Sequence, residues 1–152
     1  MQKITPFLWF DNNIEEAIDF YTSVFKNTKV YNINHLPGMG DKAFSATFEL
    51  EGQQFMALNG GPQFKFTEAI SFYINCEDQQ EIDYYWGKLT ADGGAESRCG
   101  WLKDQFGLSW QVIPANLGEL MHNADPAKAK KVMDALMQMG KLDIAALEAA
   151  GK

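Results

Sequence analysis

The sequence predicts an α+β fold of two paired βαβββ modules followed by a helical C-terminal tail. Three observations lead there. Short apolar runs alternate with an amphipathic helical stretch in the order strand, helix, strand, strand, strand. That order occurs twice, with residues matching at fixed offsets. After Pro114 the apolar spacing becomes wholly helical.

The first run, Lys3 to Phe10 (KITPFLWF), is short and dense in large apolar residues, as a buried strand is. Asp11-Asn12-Asn13 interrupts it with capping side chains. Ile14, Ala17, Ile18, Tyr21 and Phe25 then recur at helical spacing, with Glu15 and Glu16 early in the helix, where its dipole favours them. Lys29 to Asn34, Ala43 to Leu50 and Gln53 to Asn59 read as strands. A Pro-Gly loop separates the first two, and Glu51-Gly52 turns the last two into a hairpin. Gly60-Gly61-Pro62 breaks the chain.

The second module begins with a strand at Ala69 to Asn75, and Glu77-Asp78 resembles a helix cap. Ile82, Tyr85, Trp86 and Leu89 mark an amphipathic helix that Gly93-Gly94 ends. Ala95 to Lys103 and Leu108 to Ile113 read as strands around the turn Asp104-Gln105-Phe106-Gly107. Ala17 to Tyr21 matches Glu81 to Tyr85 at an offset of 64, which also lays Pro6 to Phe10 on Ile70 to Ile74. Gly52 to Met56 matches Gly107 to Gln111 at an offset of 55, so the second module has a shorter loop.

In the tail, Asp125-Pro126 is an N-cap followed by proline at the first helical position. Val132, Leu136 and Met139 form a stripe flanked by Met133 and Met137. Gly140 stops that helix, and Asp143 caps a second, IAALEAA. The stripe packs on the domain or on a second subunit. Residues 1–120 are therefore expected to form a single domain, with modules at about 1–62 and 68–115, and 121–152 a helical extension.

Composition excludes several functions. The chain has 152 residues, 46% of them apolar and 22% charged, with a net charge of −7. Arg98 is its single arginine, so the clustered basic face that nucleic acid requires cannot be built. No apolar run approaches the roughly 18 residues of a membrane span. Two isolated cysteines without an apolar signal region read as reduced thiols of a cytoplasmic protein. Two histidines, His35 and His122, cannot supply an all-His metal site.

The segments ITPFLWFDNNIEEAIDFY, GQQFMALNGGP, ISFYINCEDQQEIDYYW and above all CGWLKDQFGLSWQVIP carry a resemblance to a known family. The chain resembles the vicinal-oxygen-chelate superfamily of glyoxalase, bleomycin-resistance and dioxygenase proteins. More narrowly it is similar to the PhnB-like branch, labelled 3-demethylubiquinone-9 3-methyltransferase. The resemblance implies paired modules that curl into a shared cavity, homodimerisation, and, in metal-dependent members, one ligand from the first and last strand of each module. Those positions fall on Pro6, Met56, Ile70 and Gln111. None is histidine or carboxylate, so no metal is expected there. The methyltransferase label implies an adenosyl cofactor, yet the one Gly-x-Gly, Gly38-Met39-Gly40, precedes strand-like sequence instead of a helix. No cofactor is expected.

What remains is an apolar cavity with a few polar groups. Strand alternation places Ile4, Pro6, Leu8 and Phe10 on one face, and Ile70, Phe72 and Ile74 on its counterpart, with Met56, Leu58, Gln111 and Ile113. Gln111 is a polar handle for a carbonyl or hydroxyl, or a structural amide. Cys99, beside Arg98, is a nucleophile or an inert buried thiol. His35 is a general base over the cavity mouth or an exposed loop residue. A four-residue loop at Asp104 to Gly107 sets Trp101 opposite Trp110 and away from Gln111. A shift of one residue puts Trp101 in the cavity. The expected function is that of a PhnB-like protein of the superfamily that binds, with or without chemical transformation, a small, largely apolar molecule without the superfamily's metal. The alternative is a resistance-type protein that sequesters its ligand.

Overall fold

In a computed structural model the described residues are 2–38 and 40–152; Met39, the centre of Gly38-Met39-Gly40, lies outside them. The chain divides into two compact units, one running to Phe66 and the other from Thr67. Both show the expected order of elements. Among the described residues no helix is long and apolar enough to cross a membrane.

The first unit contains β1 (Phe7–Phe10), α1 (Ile14–Val24), β2 (Thr28–Asn34), β3 (Ser45–Leu50) and β4 (Gln53–Asn59). Its sheet runs β1-β4-β3-β2, with β1 parallel to β4 and the other pairs antiparallel. The apolar stripe of α1 meets one face, where Tyr21 stacks on Phe48 and Phe48 on Phe55, at ring separations of 6.4 and 5.4 Å. Strand β3 buries every second residue (Ala46, Phe48 and Leu50), the signature of a sheet covered on one side. Asn13 makes no side-chain cap for α1. Asn59 does that work from β4: it accepts from the Ile14 amide at 3.1 Å and donates to the Ala43 carbonyl at 2.8 Å. The β3–β4 turn has Glu51 at φ 49° and Gly52 at φ 85°, the left-handed pair of a type I′ hairpin.

The second unit contains β5 (Ser71–Cys76), α2 (Gln79–Thr90), β6 (Ala95–Glu96), β7 (Trp101–Lys103) and β8 (Ser109–Pro114). The helices α3 (Leu117–Met121), α4 (Pro126–Met137) and α5 (Ile144–Ala150) follow. Its sheet runs β5-β8-β7-β6, again with the first pair parallel. Asp78 caps α2 by accepting from the Glu81 amide at 2.9 Å. Asp125 and Asp143 cap α4 and α5 in the same way.

One expected strand is corrected. Ala95 to Lys103 is not continuous but breaks into β6 and β7 at Arg98 to Gly100. Cys99 (φ 59°) and Gly100 (φ 85°) occupy the centre of a tight turn closed by the Trp101 amide on the Arg98 carbonyl at 3.0 Å. Two left-handed residues reverse the chain here, whereas the first unit uses the longer connection between Asn34 and Ser45. That is the shorter loop the repeat offsets required.

The tail docks on this turn. The Cys99 amide donates to the Met139 carbonyl at 2.8 Å and the Gly100 amide to the Gly140 carbonyl at 2.9 Å. Val132, Leu136, Leu142 and Leu147 bury together against Ile113 of β8, while Met133 and Met137, which flank the stripe, stay exposed. At Gly100 an added Cβ would stand 2.7 Å from Ile113 Cδ1, 3.0 Å from the Val112 carbonyl oxygen and 3.2 Å from Leu142 Cδ1. Gly100→Ala therefore combines a left-handed backbone with overpacking and should cost about 2–4 kcal/mol. Urea denaturation and amide exchange across α4 and α5 check this. A variant within about 0.5 kcal/mol of wild type would show that the tail does not depend on the turn.

Candidate functional site

The face of each sheet opposite its long helix holds the candidate residues, and strand register decides which they are. In β1, Phe7 pairs with Met56 and Trp9 with Leu58, while Leu8 pairs with Ala57 and Phe10 with Asn59. Paired neighbours share a face, so Phe7, Trp9, Met56 and Leu58 line the side opposite α1. Leu8 and Phe10 are buried with Ala57 on the α1 side. The expected grouping of Pro6, Leu8 and Phe10 with Met56 and Leu58 is thus corrected by one residue. Ile4 and Pro6 precede the strand altogether, and Ile4 is exposed.

The second unit repeats the lesson. Ile70 precedes β5 and is exposed, and Phe72 and Ile74 pair with Trp110 and Val112 on the α2 side. Phe72 packs on Trp110 at 5.6 Å between ring centroids. The opposite face carries Ser71 and Tyr73 from β5, Ser109 and Gln111 from β8, and Trp101 and Lys103 from β7. Trp101 is the direct partner of Gln111, and Leu102 that of Trp110. Of the two registers open in the sequence, the structure adopts the one that shares Trp101's face with Gln111. At the far end of that face Ile113 is covered by the tail.

Asp104 sets this register. It is 2% exposed, and both side-chain oxygens are acceptors. Oδ1 takes the Phe106 and Leu108 amides at 2.9 and 3.0 Å, and Oδ2 takes the Trp110 indole N–H at 2.9 Å. The loop therefore includes Leu108, and Lys103 pairs with Ser109. From the sequence Asp104 reads as a turn residue. Its signal was the indole two strand positions beyond the turn, a buried donor that needs a partner.

Gln111 is half-buried and donates from Nε2 to Ser71 Oγ at 2.9 Å. Tyr73, its register partner, has a phenol held above its ordinary value by burial and then by the nearby Cys76 thiol. Cys76 is wholly buried, and burial first, with Glu81 next, pushes its thiol up to about 12. Cys99 sits in the β6–β7 turn with Sγ 3.9 Å from Met137 Sδ, packed against the tail cluster that covers Ile113. His35 is exposed in the β2–β3 connection.

Strand register bears directly on the metal positions that the resemblance implies. Met56 and Gln111 are equivalent, but their first-strand partners are Phe7 and Tyr73, not Pro6 and Ile70. The helices match at an offset of 64 and these strands at 66, because the first unit has two more residues between strand end and helix core. A phenyl, a thioether, a phenol and an amide do not fit a divalent ion. Among the described residues no three His, Cys, Asp or Glu side chains converge to hold a metal. An adenosyl cofactor fits no better: the parallel strand-to-helix connections, Asp11-Asn12-Asn13 and Glu77-Asp78, lack glycine.

A family model described as 3-demethylubiquinone-9 3-methyltransferase matches residues 2–113. The chain is 38% identical to the PhnB protein from Bacillus cereus, with a TM-score of 0.69, covering 75% of this chain and 100% of that one. The Pseudomonas aeruginosa protein PA1353 matches at 20% identity and a TM-score of 0.61, over 75% and 98% of the two chains. The fosfomycin resistance protein FosX from Listeria monocytogenes, whose structure is a complex with Mn(II) and sulfate, shares the fold at 14% identity. Its TM-score is 0.55, over 82% and 99% of the chains. No curated protein matches the chain.

Two tests follow from this geometry. Asp104→Ala removes three accepted hydrogen bonds and orphans the Trp110 indole, so it should cost about 2–4 kcal/mol in urea denaturation. Asp104→Asn should cost less, because its oxygen keeps the two amides while its NH2 confronts the indole. Equal stability of all three proteins would remove Asp104 from its role. For Cys76, a thiol raised from 9.0 to about 12 stays protonated in the fold where the unfolded chain has released its proton. Stability should be pH-independent from this group below 9 and fall as pH rises from 9 towards 12, by up to ~1.4 kcal/mol per unit. Cys76→Ala should flatten that decline; an identical slope would contradict the shift.

Proposed function

The chain belongs to the 3-demethylubiquinone-9 3-methyltransferase family, in the PhnB-like branch of the vicinal-oxygen-chelate superfamily, and we propose that it binds a small, largely apolar molecule without the superfamily's metal. The observation that carries this reading is the register pair Trp101–Gln111. It sets an aromatic surface beside an amide, with Tyr73 on the amide's other side. One Gln111 hydrogen is committed to Ser71. The second hydrogen and the carbonyl are what a ligand's hydroxyl or carbonyl would meet. Ring contact provides most of the affinity and the amide provides orientation, the usual division in a small-molecule site.

Sequestration without turnover is the form of this function that the donor set favours. Met56 and Gln111, with Phe7 and Tyr73, offer no donor set for a Lewis-acid centre. The methyltransferase description of the family adds no support for turnover, since neither parallel strand-to-helix connection has the glycine that an adenosyl group needs. Cys99 and His35 lie outside the Trp101–Gln111 row and take no part in binding in this reading.

Acetophenone, a neutral ring with one carbonyl, is a suitable probe. Titration should be saturable and should shift the Trp101 indole N–H resonance while leaving Trp110, under α2, in place. Gln111→Ala should weaken binding about 5–10-fold, the worth of one hydrogen bond. Binding that leaves Trp101 unmoved, or is indifferent to Gln111→Ala, would displace the site. Elemental analysis of the purified protein is the companion measurement. A stoichiometric divalent metal that Gln111→Ala removes would overturn the metal-free reading.

A further inference from the structure

The same face contains a group that the binding of a neutral ring does not use. Ser109 is 1% exposed, and its hydroxyl is buried without a hydrogen-bond partner. A buried, unpaired hydroxyl is costly to keep, and nearby alanine or valine would avoid that cost. Its place in the sheet suggests what it is for. Ser109 lies in β8 with Ser71 beside it on β5 and Lys103 beside it on β7. The Lys103 ammonium pairs with the Glu68 carboxylate, and Glu68 precedes Ser71 by three residues. The ion pair thus ties together the two strands that flank Ser109.

The polar inventory of this row is unbalanced. Ser71 already accepts from Gln111 Nε2, which leaves its own hydrogen to donate. The Ser109 hydrogen, the remaining Gln111 amide hydrogen and the Lys103 ammonium are donors as well. Against them stands the Gln111 carbonyl, and Glu68 reaches in from outside the strand. Both partners of the ion pair are solvent-exposed, 42% and 62%, so the pair is weak and readily exchanged for another carboxylate.

We propose that Ser71, Ser109, Gln111 and Lys103 form a carboxylate-binding site, in which Glu68 stands in for the carboxylate of a ligand. The inference rests on the small-molecule reading above and narrows its ligand to an aromatic or similarly apolar carboxylate. The ring meets Trp101 and Tyr73, and the carboxylate displaces Glu68 from Lys103 and takes the Ser109 hydroxyl. The chain's net charge of −7 does not forbid this. Charges more than about 8–10 Å away are largely screened at physiological salt, and the ammonium in the row is the near one.

Benzoate and acetophenone, which share a ring and differ in the charge of the oxygen group, are the probes, followed by calorimetry and by the Trp101 indole resonance. Benzoate should bind wild type, bind Glu68→Gln at least 5-fold more tightly because the internal competitor is gone, and bind Lys103→Gln at least 10-fold more weakly. Ser109→Ala should weaken benzoate several-fold without loss of thermal stability, since it removes a hydroxyl that makes no bond in the fold. Acetophenone affinity should be unchanged by Glu68→Gln and Lys103→Gln. If benzoate affinity is unchanged or reduced in Glu68→Gln, the stand-in role is wrong. If acetophenone binds at Trp101 and benzoate binds no variant, the carboxylate site fails while the small-molecule reading stands. If neither binds, both fail.

Discussion

The open face of the second unit depends on how Asp104 spends its two oxygens. By holding the amides of Phe106 and Leu108 and the indole of Trp110, it makes the β7–β8 connection one residue longer than the turn residues alone require. In a two-period structure that single residue exchanges the faces. With it, Trp110 goes under α2 beside Phe72, and Trp101 joins Gln111 and Tyr73 on the other side. Without it, the two tryptophans would face each other and the amide would lose its indole neighbour, keeping only Tyr73. An acceptor buried under a turn thus decides which side chains share a face with Gln111.

The two units show how a repeat drifts while keeping its architecture. Their helices superimpose at one offset and their strands at others, because connections absorb or release residues without disturbing a packed face. The hairpin at Glu51-Gly52 has two residues where the Asp104 loop has five, and the Cys99-Gly100 turn replaces the ten residues between Asn34 and Ser45. Each change leaves the helix-facing residues buried. The opposite faces are where the units diverge: thioether, indole and phenyl in the first, hydroxyls, amide, indole and ammonium in the second.

The legibility of the sequence follows the same division. Helices α1, α2, α4 and α5 and the order of strands were readable because burial imposes contrast at a fixed period. The parity of β1 was not, since FLWF is apolar on both faces and offers alternation no contrast. The break in Ala95 to Lys103 was hidden because cysteine is an unusual occupant of a left-handed turn position, and the tail's amide acceptors that help hold it come from forty residues away. The place of Gln111 on the last strand, equivalent to Met56, was readable from the repeat. Its partner Ser71 and the orphan hydroxyl of Ser109 were not, because both depend on which residues lie side by side across strands.

The chemistry of the site follows from where the repeat places its equivalent residues. The last strands present Met56 and Gln111, and parallel pairing brings Phe7 and Tyr73 beside them. Coordination needs several hard or imidazole donors converging on a point, and these four side chains offer one amide oxygen and one phenol. Recognition by rings and hydrogen bonds needs only a surface with donors at its edge, and the second unit has that. The tail adds a boundary. By burying Ile113 and fastening the Cys99-Gly100 turn to Met139 and Gly140, it closes one end of the Gln111 row. The row that continues from Gln111 along β8 therefore ends at the tail on the Ile113 side and reaches Ser109, with Lys103 beside it, on the other.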